Sequence, residues 1–254
     1  MDPLLDFARS ALENHMREHR DYKATLVKQE RIGVKLYPES KMSLKLRYRG
    51  SESQPGSEPR EAMVQKDLAR KVSVYLKGVE PPSQAGREVI WIEGENDNKL
   101  KAHEAGMLGF VTVELAPTSR LAMIGNRYPI TEIGIEKLLR KLIERGEQDK
   151  SMGPATVRVT EDVMVGKQKC RLLEVIHEQP TTQIDGRELK FEFYVAKIYI
   201  DAERQLPIRY ASYTWPKSEG GEPELLESYT YEDLELNVGL GDADFDPKNP
   251  SYRF

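Results

Sequence analysis

Cysteine is almost missing from this chain: Cys170 is the only one. An intrachain disulfide, a CxxC redox pair and a zinc ribbon are therefore excluded. No apolar run approaches the ~18–20 residues that a membrane-spanning helix needs. The phosphate-cradling G-x-x-x-x-G-K-[ST], a G-x-G-x-x-G following a strand and the G-x-S-x-G elbow are all absent, so the familiar routes to phosphate and ester hydrolysis have no support. Asn249-Pro250-Ser251 is spoiled as a glycosylation acceptor by its proline. An excess of basic charge is lacking too. The 38 basic and 42 acidic residues give a formal net charge of −4, whereas a general nucleic-acid binder carries a basic excess. Met1-Asp2-Pro3 has no basic segment followed by an apolar one, so a signal peptide is expected to be absent from this chain.

What is present is ordinary for a globular protein. Hydrophobic residues make up 39% and charged residues 31%, the latter above the usual ~25%. A chain of 254 residues buries roughly 70–75% of its unfolded surface without covalent staples. Leu5, Ala8, Leu12, Met16 and His19 recur at three- and four-residue steps, which predicts a helix over 3–20. Ile135, Leu138, Leu139, Leu142 and Ile143 predict a second over 131–145. Lys137, Arg140, Lys141, Glu144 and Arg145 fall on its other face, and Gly146 reads as its C-terminal stop.

Elsewhere the period is two. Tyr22-Ala24-Leu26, Met42-Leu44-Leu46-Tyr48 and Val72-Val74-Leu76 alternate with polar residues, as half-buried strands do. Further extended segments are expected at 89–92, 99–104, 110–115, 157–159, 170–177, 189–200, 208–215 and 225–234, with a turn at 201–206. The connections are hairpin-length, which favours antiparallel pairing over βαβ crossovers. Residues 50–60 and 216–224 are rich in Ser, Gly, Pro and Glu, and mobile hairpin loops rather than linkers are expected near 50–70 and 216–224. No internal repeat is seen. The expectation is one α+β domain over 1–254.

The stretches GREVIWIEGENDNKLKAHE at 86–104 and GNRYPITEIGIEKLLRKLIERG at 125–146 resemble a bacterial domain-of-unknown-function family, number 1571. DYKATLVKQERI at 21–32 and the DFDPKNPSYRF ending resemble its first strand and closing segment. That family is similar to the LolA/LolB lipoprotein carriers. The resemblance implies an incomplete β-barrel, a curved antiparallel sheet closed on its concave face by helices around an apolar cavity. It also implies an exported, periplasmic protein that binds acyl chains, with no catalytic residue to carry over. The hairpin at 50–70 is elongated relative to a simple member.

Several motifs suggest chemistry. His15-Met16-Arg17-Glu18-His19 spells H-x-x-E-H, which on a helix sets two histidines one turn apart with Glu18 as general base. A catalytic zinc also needs a third ligand, and none is apparent. Asp242, Asp244 and Asp246 imitate the start of a calcium loop, but Pro247 and Arg253 stand where Gly and Glu are required. His103 and His177 are lone strand histidines, and Cys170 reads as a small core residue. The second-half strands are rich in aromatics, which suit either a filled core or an apolar pocket.

Three readings follow. The first is a non-enzymatic envelope protein holding a lipid or lipoprotein acyl chain between sheet and helix, with Trp91, Leu138, Leu139, Leu142, Tyr194, Tyr210 and Trp215 lining the site. Its partners would be that hydrophobic molecule and a lipoprotein or envelope protein; no cofactor, metal or nucleic acid is expected. The second is a structural or interaction domain with a filled core. The third is a zinc hydrolase using His15, Glu18 and His19.

Overall fold

The structure is a computed structural model that describes residues 1–50, 70–105, 111–153, 155–218 and 220–254. Most of the loop expected at 50–70, part of the hairpin connection at 106–110, and residue 219 lie outside the described residues. Among the described residues there are two helices, α1 (Asp2–Glu18) and α2 (Ile135–Met152), and strands β1 (Asp21–Ile32), β2 (Lys35–Leu36), β3 (Ser40–Arg49), β4 (Lys71–Glu80), β5 (Glu88–Ile92), β6 (Leu100–His103), β7 (Thr112–Leu115), β8 (Thr156–Val165), β9 (Gln168–Ile176), β10 (Thr181–Ile184), β11 (Arg187–Lys190), β12 (Val195–Asp201), β13 (Pro207–Tyr213) and β14 (Leu225–Leu236). The main sheet is antiparallel in its pairings and open, since its path runs from β7 to β8 without closing into a barrel.

The chain divides into two compact units. The first comprises residues 1–18, 26–39 and 125–232, the second 19–25, 40–124 and 233–254. In the second, β3, β4, β5, β6 and β7 follow one another as antiparallel neighbours. Tyr75, Ile90, Leu240 and Phe245 form its buried cluster, with Val238, Tyr252 and Phe254 of the C-terminal segment packed against it.

In the first unit β12 lies between β9 and β13, β13 pairs with β14, and β8 pairs with β9 as the last strand. The β8–β9 register shifts between Thr160 and Val163, and Asp162 in that bulge has φ 62°. Both helices pack on this unit's strands. Leu4, Ala8 and Leu142 share a core with Leu173, Val175, Phe193, Ala196, Ile198, Ile200 and Tyr210.

Four expectations need correction. Gly146 does not stop α2; it is buried in the middle of a helix that continues to Met152. A Cβ on Gly146 would stand 2.7 Å from Cδ2 of Leu5, so the glycine serves the close approach of α1. Residues 131–133 precede α2 in a short 3₁₀ turn, Ile130–Glu132. The single strand expected over 189–200 is two, β11 and β12. β10 and β11 form a separate hairpin closed by Asp185-Gly186, both at positive φ, the Asp-Gly pair that tight hairpins favour. Finally, α1 ends at Glu18, and its buried stripe is Leu4, Leu5, Ala8, Ala11 and His15. Small Ala8 and Ala11 at its centre let the neighbouring surface come close.

Candidate functional site

Pairing between β13 and β14 sets Tyr210 opposite Tyr229 and Ser212 opposite Glu227. Directly opposed residues project on the same face of a sheet, so this register gathers two phenols, a hydroxyl and a carboxylate. Helix α2 adds Arg145. Leu138, Leu142 and Arg145 are at positions i, i+4 and i+7, one stripe of an α-helix. Leu142 is buried in the core cluster and Leu138 partly buried against it.

The Arg145 guanidinium is a junction. Its Nη1 donates to the Tyr210 hydroxyl at 3.1 Å and to Glu227 at 3.4 Å, and its Nη2 to the Tyr128 hydroxyl at 3.0 Å. Nη2 also pairs with Glu192 at 2.8 Å. The Glu227 carboxylate, almost completely buried, pairs with Arg127 at 3.0 Å as well. Beside it, Glu30 accepts from Lys28 Nζ at 2.9 Å, from the Arg127 backbone N–H at 3.2 Å and from the Tyr229 hydroxyl. Lys141 lies 5.0 Å over the Tyr128 ring.

Burial alone would push the Arg145 pKa down, but Tyr210, Tyr128, Glu227 and Glu192 outweigh it and hold the value above the ordinary one. The arginine is a fixed cation. Burial, seconded by the negative charge of Glu227, raises the pKa of Tyr128, Tyr210 and Tyr229. These phenols therefore stay protonated, as hydrogen-bonding groups and not as bases. The arrangement is suited to holding an anionic or hydroxylated group by directed hydrogen bonds.

The residues expected from sequence fall in different places. Leu139 is fully buried, and Leu142 and Tyr210 are nearly so. Leu138, Tyr194 and Trp215 are half-buried. Tyr194 and Trp215 face each other with ring centroids 6.3 Å apart, and the Trp215 indole donates to the His177 carbonyl at 3.1 Å. All of these belong to the first unit. Trp91 belongs to the second, where it is buried on β5 and donates to the Asn98 carbonyl at 3.3 Å.

The motif histidines have packing roles. His177 is stacked on Phe191 at 3.9 Å, meets Phe193 at 5.0 Å and hydrogen-bonds Asp149 of α2 at 3.1 Å. His103 bonds the Thr112 hydroxyl at 2.9 Å. His15 is buried on α1, whereas His19 follows the helix end. Among the described residues no three His, Cys, Asp or Glu gather into a group that could hold a metal. The acidic 242–246 segment ties the chain end down: Asp244 pairs with Lys45 and Asp242 with Arg47, each at 2.6 Å.

Sequence reasoning put Arg145 on the solvent face of its helix and passed over Glu30, Arg127, Tyr128 and Glu227. One signal was available. Glu30 shares the strand phase of Tyr22, Ala24 and Leu26, and Glu227 that of Tyr229 and Tyr231. A carboxylate on an apolar strand phase calls for a buried cation.

Residues 19–254 match the family described as "Protein of unknown function (DUF1571)". The chain belongs to the DUF1571 family. The matched span starts just after α1. No curated protein matches this DUF1571 chain. Among solved structures, it is similar to a DUF1329 family protein from Desulfovibrio piger at 12% identity over 96% of each chain, TM-score 0.43. A LolA superfamily protein from Nitrosomonas europaea is 12% identical over 94% of this chain and 97% of the other, TM-score 0.31. The Mycobacterium tuberculosis lipoprotein LppX is 9% identical over 97% and 100%, TM-score 0.45. Among the described residues, no helix is long and apolar enough to cross a membrane.

Proposed function

We propose that this DUF1571 chain is a non-enzymatic binding protein of the bacterial envelope, exported or periplasmic, that holds a lipid or a lipoprotein acyl chain against α2 in the first unit. The observation that carries the reading is the unsealed margin of that unit's core. Leu138, Ile143, Leu226, Tyr229, Phe7 and Met1 pack against the cluster but stay only partly buried. Apolar side chains that are in contact with a core yet reached by water favour an apolar guest. Leu138, Leu139, Leu142, Tyr194, Tyr210 and Trp215 are the proposed lining. Fixed cations and neutral phenols beside an apolar stripe suit binding better than bond-breaking.

Mass spectrometry of an organic extract of the purified protein tests the reading, and a co-purifying lipid is the expected result. Titration with long-chain lipids should saturate at micromolar or tighter affinity, about 8 kcal/mol, and change tryptophan emission. Trp215→Phe should remove that change, while Trp91→Phe keeps it. A clean extract together with no saturable binding would leave a filled interaction domain as the better description.

A further inference from the structure

We propose that the Arg145 junction is a head-group site for a carboxylate-bearing amphiphile, a long-chain carboxylic acid, and that the Glu192 carboxylate competes with that head group for it. This deepens, and rests on, the binding reading above. The three carboxylates around the junction are not equivalent. Glu30 and Glu227 are almost fully buried, and each meets more than one partner. Their removal would leave buried cations uncompensated, so they are fixed parts of the fold. Glu192 differs. Its side chain is 55% exposed, it lies on the link 191–194 between β11 and β12, and it meets Arg145 Nη2 at 2.8 Å. An ion pair with one half-exposed partner is weak, and its carboxylate can swing into water.

The neighbours of Glu192 explain why it is there. Phe191 and Phe193, on either side in sequence, pack on the His177 ring. They fix the link, and the residue between them points to Arg145. A carboxylate delivered from outside would meet the same guanidinium edge, with the Tyr128 hydroxyl on the same Nη2. The planar fork of arginine matches a carboxylate in a way that an ammonium does not. The Leu138–Leu142–Arg145 stripe then gives the length of the ligand a direction. The polar head lies at Arg145, and the alkyl chain runs back along α2 past Leu142 and Leu138, with Tyr229 and Leu226 alongside. A neutral amphiphile of the same length would bury the same alkyl surface but leave Glu192 in place.

The test compares hexadecanoate with hexadecan-1-ol by calorimetric titration, with the thermal unfolding midpoint of each variant recorded. In the unaltered chain the acid should bind about tenfold more tightly than the alcohol. Glu192→Gln removes the competing charge and should raise the acid-to-alcohol ratio by about threefold or more. Arg145→Lys keeps the charge, loses the fork and should lower that ratio about tenfold. A ratio near one in the unaltered chain, or one that Glu192→Gln leaves unmoved, overturns the head-group site while the binding reading stands on the alcohol. Binding of neither probe overturns both. Should Arg145→Lys fail to fold, Glu192→Gln still decides, since Glu192 is on the surface.

Discussion

Gly146 shows how one residue settles where a helix goes. Sequence logic reads a glycine after an amphipathic run as an end signal, yet here the helix passes through it because Leu5 occupies the space a Cβ would need. Two effects compete in Gly146→Ala. Helix propensity favours alanine by about 1 kcal/mol. The new methyl would press on Leu5, itself 2% exposed and unable to turn away freely. Overpacking of this kind costs about 1–3 kcal/mol, so a net loss of about 1 kcal/mol is expected in denaturant unfolding. In a Leu5→Ala background the clash is gone, and the same change should stabilise. A double-mutant cycle with no coupling would refute the contact. Arg145 teaches the complementary lesson. A helical wheel places it in water, because its partners Glu227 and Tyr210 are 82 and 65 residues away. Local pattern contains no record of such pairs. The carboxylates at apolar strand phases are the one trace that it leaves.

At the scale of elements, the period-two strands and both helices were legible, since half-burial imposes its period directly on the sequence. The β10–β11 hairpin was not, although Asp185-Gly186 announces it. Its strands are short and largely exposed, so no alternation marks them. The acidic C-terminal segment imitated a cation loop, but its carboxylates serve Lys45 and Arg47. That docking has a pH signature. Burial tends to raise the Asp244 pKa, but the hydrogen bond from Lys45, the Gly241 N–H and the charges of Lys45 and Lys23 outweigh it and hold the value below the ordinary 3.8. A depressed carboxylate contributes stability that is present above the unfolded value, near ~3.9, and is lost as pH falls through the folded one. Protection of the 240–254 amides, their exchange rates taken relative to the intrinsic rate at each pH, should therefore fall as pH drops below about 4. Asp244→Asn should show low protection at neutral pH and a flat response of that protection to acid. Equal pH dependence in both proteins would contradict the tether.

For the whole molecule, fold class and strand dominance followed from composition and period, but the division into two compact units did not. Each unit gathers separated stretches of chain, and β1 and β14 contribute residues to both. The backbone of each of these strands runs without a break through residues of both units. We propose that the chain unfolds as one domain. Calorimetry should give a single transition with equal calorimetric and van't Hoff enthalpies. Two resolved transitions would argue against it.

The bulge in β8 has a bearing on how this protein behaves in a crowd. As the last strand of its run, β8 offers a backbone edge that a second molecule's strand could copy, and Val159 and Met164 lie exposed along it. Fibres grow from flat, unbroken edges of this kind. The register shift between Thr160 and Val163 breaks the flatness. Asp162 and Glu161, held there by Lys169 and Arg171 at 2.8 Å each, put charge where a newcomer would have to dock. A variant with Asp162 deleted and Glu161 replaced by Thr, which removes the one extra residue and both charges, should elongate into thioflavin-binding filaments at concentrations where the parent chain stays dispersed. Filaments in that variant and none in the parent would make the irregularity a guard against one copy templating the next.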